Sequence, residues 1–268
     1  MTTAFVLGGA RNLGAMQVGM LAALLDAGIR PDLVVGCSVG AVNGAAVAAA
    51  PTVAGIQRLT AVWGDLRRKD VWPSHPAAVA LRLVRRHAAS RGNEGLRAVL
   101  ERHLPATFEE LAVPFACVAA SLDTGRARWF DSGPLADAVL ASSALPGLLP
   151  PVEIGGEALV DGAAVDVVPI GRAIEMGADR IFVLQIKDLD ELVPRPSRPL
   201  EVLVRAFAIS RNSRFLAELA AVPAGVEVHV LPVVDWPRLR YDGFSRTPEL
   251  VAAARTATGG WLAERGLA

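Results

Sequence analysis

Apolar residues occur along this chain in two alternating forms, short unbroken runs that stop at glycine and longer stretches at helical spacing. The first run, Thr3–Leu7, stops at Gly8-Gly9 and predicts a buried strand entering a loop. Met16, Met20, Leu21, Leu24 and Leu25 then recur with helical periodicity, and Gly28 stands where a C-terminal cap belongs. A run at 33–35 predicts a second strand that ends at Gly36-Cys37-Ser38-Val39-Gly40, and an Ala-rich helix follows to about residue 50. Strand, loop, helix, strand, sharp turn, helix is a βαβα opening, which implies a parallel sheet covered by helices.

Residues 55–112 read as helical and more polar, with Trp63, Trp72 and a basic run at Arg82, Arg85, Arg86 and Arg91. The next strand falls at 114–120, and Thr124-Gly125 turns the chain into a hairpin partner at 126–130. A helix over about 134–141 leads to Ser142-Ser143-Ala144-Leu145-Pro146-Gly147. Residues 152–154 and 157–160 form a second hairpin about Gly155-Gly156, closed by Asp161-Gly162. A helix at 169–176, a strong buried strand at 180–186, a proline-rich loop at 194–199, a long apolar helix at 200–221, a strand at 226–231 and a helix at about 247–264 complete the reading. With no internal repeat and no low-complexity linker, the expectation is a single domain over 1–268, a length that buries a sizeable core.

Composition narrows the function classes. Lys+Arg and Asp+Glu are equal at 27 each and the pI is about 6.9, so there is no electrostatic footprint for nucleic acid. Cys37 and Cys117 sit in apolar surroundings and read as buried small hydrophobes in a reducing compartment. The four histidines, His75, His87, His103 and His229, are scattered without metal-ligand spacing, so neither a metal nor another cofactor is expected. The apolar stretch 13–25 lacks a basic n-region and a cleavage site. Asn43 breaks the stretch 41–50, which ends at Pro51, well short of the ~20 residues of a spanning helix. A soluble, cytoplasmic protein is the expectation.

Two segments carry candidate chemistry. Gly36-Cys37-Ser38-Val39-Gly40 is G-x-S-x-G between a strand and a helix, the setting of a nucleophile elbow that lifts a serine hydroxyl clear of the sheet. The same small-residue pattern also occurs in unreactive turns. Gly8-Gly9-Ala10-Arg11-Asn12-Leu13-Gly14 follows the first strand and opens a helix, offering backbone N–H groups to an anion at a positive helix N-terminus. It lacks G-x-G-x-x-G, and the end of the second strand carries Ser38 in place of an acidic residue, so an oxyanion suits it better than a dinucleotide. For the base, His229 is late enough in the chain for a triad but lies in an alternating strand, where a structural histidine belongs. Asp161 is the other candidate, delivered to a sheet edge by a hairpin strand and followed by a glycine that bends the chain.

Together these segments resemble the patatin-like phospholipase family. The matching pieces are the glycine-rich loop with Arg11, the helix Gly14-Ala15-Met16-Gln17-Val18-Gly19-Met20-Leu21, the elbow Gly36 to Ala41, the stretch Ala141 to Gly147, and Leu159-Val160-Asp161-Gly162-Ala163 with Pro169 beyond. They occur in family order over about 3–186, and the last 80 or so residues contribute little. The resemblance implies a three-layer α/β/α fold with a mostly parallel central sheet and a Ser-Asp dyad without histidine. Ser38 would be the nucleophile and Asp161 its general base, with Gly36 and Gly40 shaping the elbow and Gly162 and Ala163 the acid-loop motif. Amides of Gly8, Gly9, Ala10, Arg11, Asn12, Leu13 and Gly14 would hold the oxyanion. Two departures stand out: Cys37 occupies a position that is usually Thr in the family, and Asn12-Leu13 is inserted where many members have nothing. Asp166 falls near a position that is polar in the family, and the resemblance gives it a structural role.

The function implied is hydrolysis of lipid acyl esters, of the phospholipase A type. Its rivals are an acyltransferase or thioesterase on the same elbow, and a non-enzymatic protein of the fold. A carboxylate base predicts activity rising through an acidic pKa, without a histidine-like limb near 6.5. Leu145, Leu148, Leu149 and the 200–221 helix offer apolar surface for acyl chains, and the Arg82–Arg91 face offers transient contact with anionic head groups at a membrane surface. Oligomeric state is not legible.

Overall fold

The computed structural model describes residues 1–9, 13–71, 92–186, 196–234 and 244–267. All eight predicted strands form, as β1 (Thr3–Leu7), β2 (Leu33–Cys37), β3 (Phe115–Ser121), β4 (Ala127–Phe130), β5 (Val152–Ile154), β6 (Glu157–Asp161), β7 (Arg180–Leu184) and β8 (Glu227–Val230). They make one sheet hydrogen-bonded in the order β5-β6-β3-β2-β1-β7-β8, with β4 also on β3. The β3-β2-β1-β7-β8 portion is parallel, and β4, β5 and β6 add antiparallel pairings. The helices are α1 (Gly14–Asp26), α2 (Val39–Ala49), α3 (Val53–Asp65), α4 (Arg68–Val71), α5 (Glu94–His103), α6 (Leu135–Ser142), α7 (Ile170–Glu175), α8 (Pro199–Ala220) and α9 (Thr247–Glu264).

Alternation along β1 sorts the layers. Phe5 and Leu7 join Val34, Phe115, Cys117, Phe182 and Leu184 under α1, α2, α3, α6 and α9. Ala4 and Val6 join Leu33, Val35, Ile181 and Val183 on the opposite face, under Ile170 and Ala173 of α7 and Phe215 of α8. Every residue of β1, β2 and β3 is buried, the unbroken apolar signature of strands covered on both faces. This is the expected three-layer α/β/α arrangement. The helix α1 after β1 packs on one face and α8 after the neighbouring β7 on the other, so the chain switches sides of the sheet between these two strands.

Several predictions of the hydrophobic pattern are displaced by a residue or two, as at α7 and β7, whose last apolar residue Ile186 is buried beyond the strand's hydrogen bonds. Trp72, His75, Arg82, Arg85, Arg86, His87 and Arg91 lie outside the described residues, as do Ala10, Arg11 and Asn12 of the glycine-rich loop.

Candidate active site

The elbow forms where the sequence places it. Cys37 is the last residue of β2 and Val39 the first of α2, so the whole reversal falls on Ser38. Its φ of 57° and ψ of −127° make it the one non-glycine residue with positive φ among the described residues. Close backbone approach explains the flanking glycines. A Cβ on Gly36 would strike the Gly40 carbonyl oxygen, and one on Gly40 would strike that of Leu7. The hydroxyl therefore stands at the N-terminus of α2, where the helix leaves unsatisfied N–H groups and favours negative charge.

Strand register brings Asp161 to it. Ala119 and Ala120 of β3 pair with both β4 and β6, so β4 and β6 occupy opposite edges of β3. Cys117 and Val118 pair with both β4 and β2, which puts β2 opposite β4 as well. Consequently β2 and β6 share one edge of β3 and meet end to end, with Cys37 across from Val118 and Asp161 across from Ala119. The Ser38 Oγ–H donates to Asp161 Oδ2 over 2.6 Å. Asp161 is 2% exposed, and its Oδ1 accepts the Ala163 N–H at 2.8 Å. Gly162 is needed because a Cβ there would meet the Val118 carbonyl oxygen. The 142–144 segment fastens both partners. Ser142 Oγ accepts the Ser38 N–H (3.0 Å), Ser143 Oγ–H donates to the Ser38 carbonyl (3.1 Å), and the Asp161 N–H donates to the Ala144 carbonyl (2.9 Å).

The glycine-rich loop approaches Ser38 at Gly9, where an added Cβ would lie 3.1 Å from Ser38 Cβ. The Gly8 and Gly9 N–H groups donate to the carbonyls of Leu184 (3.2 Å) and Val167 (3.0 Å). Those two amides thus tie the start of the loop to the end of β7 and to Val167. At the far end Leu13 precedes Gly14, the first residue of α1. Beneath the elbow, burial pushes the Cys37 thiol well above its ordinary pKa, assisted by Asp161 and Asp166, so it stays a neutral packing group.

Residues 5–174 match the family model described as patatin-like phospholipase. The chain belongs to that family. It is 29% identical over 194 residues to Lysophospholipase NTE1 of Phaeosphaeria nodorum, a match that covers 71% of this chain and 12% of that protein. An uncharacterized NTE family protein of Mycobacterium tuberculosis is 32% identical over 224 residues, covering 81% of this chain and 56% of the relative. The chain therefore spans a small part of the fungal relatives and little more than half of the mycobacterial one. VipD from Legionella pneumophila shares the fold, with a TM-score of 0.50 at 14% identity over 98% of this chain and 67% of that one.

In this patatin-like phospholipase chain, His229 is not near the Ser38–Asp161 hydrogen bond. It lies on β8, three strands from β2, with its ring stacked on Phe182 at 4.8 Å and edge-on to Trp261. Sequence reasoning passed over two residues close to the loop. Gln17 and Asn43 are both fully buried, in helices whose other buried positions are apolar or glycine. A lone amide in such a helix was the available signal, since a buried polar group must find partners.

Proposed function

We propose that the chain is a serine hydrolase acting on lipid acyl esters, with Ser38 as nucleophile and Asp161 as general base. The observation that carries this reading is the 2.6 Å Ser38–Asp161 hydrogen bond at a strained elbow. Asp161 Oδ2 takes the hydroxyl proton as Oγ attacks the ester carbonyl. The tetrahedral intermediate collapses with loss of the alcohol to an acyl-serine, and water, deprotonated by the same carboxylate, releases the fatty acid. Because the Ser38, Gly8 and Gly9 N–H groups already have acceptors, the proposed oxyanion donors are the amides between Ala10 and Gly14, aided by the α2 N-terminus. Ala163 N–H, on the other carboxylate oxygen, orients Asp161.

Lipid as substrate rests on the family and on the activity named for the fungal relatives. The outer surface of α8 supports contact with a lipid surface. Val202, Ile209 and Leu216 are 51%, 58% and 50% exposed, and the side chains of Arg214 on the same helix and Arg198 just before it are 54% and 82% exposed. Leu149, by contrast, is core, with Leu145 and Leu148 half-buried. No helix among the described residues is long and apolar enough to cross a membrane. The cytoplasm is the compartment we propose, as the composition suggested.

Fluorophosphonate labelling with mass-spectrometric mapping tests the dyad. Wild type should carry the adduct on Ser38, Ser38→Ala should carry none, and Asp161→Asn should label about 10²–10⁴-fold more slowly. Well-folded wild-type protein that takes up no probe would overturn the reading.

A further inference from the structure

Three buried side chains from three helices form one hydrogen-bonded unit that grips the glycine-rich loop at both ends. Gln17 on α1, Asn43 on α2 and Trp63 on α3 are 0%, 0% and 4% exposed. Gln17 Nε2 donates to the carbonyls of Gly8 (2.8 Å) and Leu184 (2.9 Å). Asn43 Nδ2 donates to the Gly14 carbonyl and to Gln17 Oε1, both at 3.0 Å, and Trp63 Nε1 donates to Asn43 Oδ1 at 2.8 Å. The amide orientations follow from chemistry alone. An indole only donates, so Asn43 must turn its oxygen to Trp63; that aims its two N–H bonds at Gly14 and Gln17. Gln17 must then accept from Asn43 and give both of its own protons to carbonyls. Every amide proton in the unit is used.

We infer that Gln17, Asn43 and Trp63 are positioning residues for the acyl-transfer step, fixing the span of the loop from Gly8 to Gly14 and hence where its amides meet the oxyanion. This rests on the hydrolase reading above. Apolar side chains of similar size would fill the same space, because α1 and α2 are otherwise packed by apolar residues and glycine. What apolar replacements cannot supply is a fixed distance between the two loop ends. Trp63 contributes to a steric limit too, since with Val39 its ring leaves room only for glycine at position 14, a Cβ there lying 2.6 Å from Cζ2. Misplacing a reacting group by about 1 Å lowers a rate by about 10²-fold, so the tie should register in turnover more than in substrate binding.

The test compares Trp63→Phe, which keeps a ring and removes the N–H, and Gln17→Met, which keeps length and removes all polar contacts, with Ile56→Ala. Ile56 is a core residue on α3, 3% exposed, and is no part of the unit. Kinetics on a soluble short-chain p-nitrophenyl ester and the rate of fluorophosphonate labelling at Ser38 are measured well below each variant's unfolding temperature. The expected result is a kcat about 10- to 100-fold lower in Trp63→Phe and Gln17→Met, with KM within about 3-fold of wild type and labelling slowed in parallel. Ile56→Ala should lose stability while keeping kcat near wild type. Near-wild-type kcat and labelling in a folded Trp63→Phe or Gln17→Met, or an equal kcat loss in Ile56→Ala, would overturn the inference. Wild-type protein that labels at Ser38 keeps that outcome separate from failure of the dyad itself.

Discussion

Ser38 holds a backbone conformation that a serine adopts only when its surroundings insist, and those surroundings can be named. Gly36 and Gly40 provide the room, while Ser142 and Ser143 engage its N–H and carbonyl. Ser142 is fully buried, so Ser142→Ala leaves the Ser38 N–H without its acceptor. The expected effect is a loss of about 1–3 kcal/mol in urea denaturation, together with slower fluorophosphonate labelling. A variant as stable and reactive as wild type would show that the glycines alone impose the turn. At this scale the sequence was informative about which two residues meet, Ser38 and Asp161, and silent about what holds them. G-x-S-x-G and Asp161-Gly162 are local patterns, tied to backbone approaches that only glycine permits. The roles of Ser142, Gln17 and Asn43 depend on partners as far as 104 and 167 positions away, which no spacing reveals. Asn43 read as a mere interruption of an apolar stretch, and that interruption is where the loop is tied down.

Elements were more legible than contacts, because strand and helix each follow from a repeat along the chain. The pairing of β6 with β3 was less so. The hairpin was predicted from Gly155-Gly156, but its place on the same edge as β2 depends on register, and that register is what brings Asp161 to Ser38. Helix–helix contact gives the clearest prediction here. The helix α1 is buried on nearly every side, between the sheet and α9. Gly19 lets α9 approach closely: a Cβ there would meet the Val251 carbonyl oxygen and lie 2.9 Å from Ala254 Cβ. Gly19→Ala should therefore destabilise by about 1–3 kcal/mol through overpacking. Gly260, exposed on α9 with nothing within 4 Å of an added Cβ, should respond in the opposite sense. Gly260→Ala is expected to stabilise by about 0.5–1 kcal/mol, since a helical glycine loses more chain entropy on folding than alanine. Thermal denaturation of the two variants side by side checks both signs, and a common sign would contradict the packing described.

For the molecule as a whole, equal numbers of acidic and basic residues leave formal net charge at zero. General self-repulsion is then weak near neutral pH, and the pH dependence of stability falls to individual buried groups. Burial holds the pKa of His229 below its ordinary value, so its contribution is lost as pH falls through the range where the unfolded imidazole takes up a proton. Asp166 acts in the other direction. It is 4% exposed, and its carboxyl is pushed up to about 7, first by burial and then by Glu218; Arg214, at 3.9 Å, and the Val168 N–H pull it down, and Glu175 adds a smaller push upward. An unfolded aspartate titrates near 3.9. Between that value and about 7 the native state keeps a proton that the unfolded chain has released. Stability therefore falls as pH rises across this window, by up to about 4 kcal/mol, and stays at the lower level above it. Asp166→Asn keeps an oxygen for the Val168 N–H and removes the charge. Urea midpoints at pH 5 and pH 8 should show the variant gaining on wild type as pH rises, with the larger advantage at pH 8. A difference that does not change between the two pH values would mean that Asp166 is ionised throughout, with Arg214 outweighing burial and Glu218.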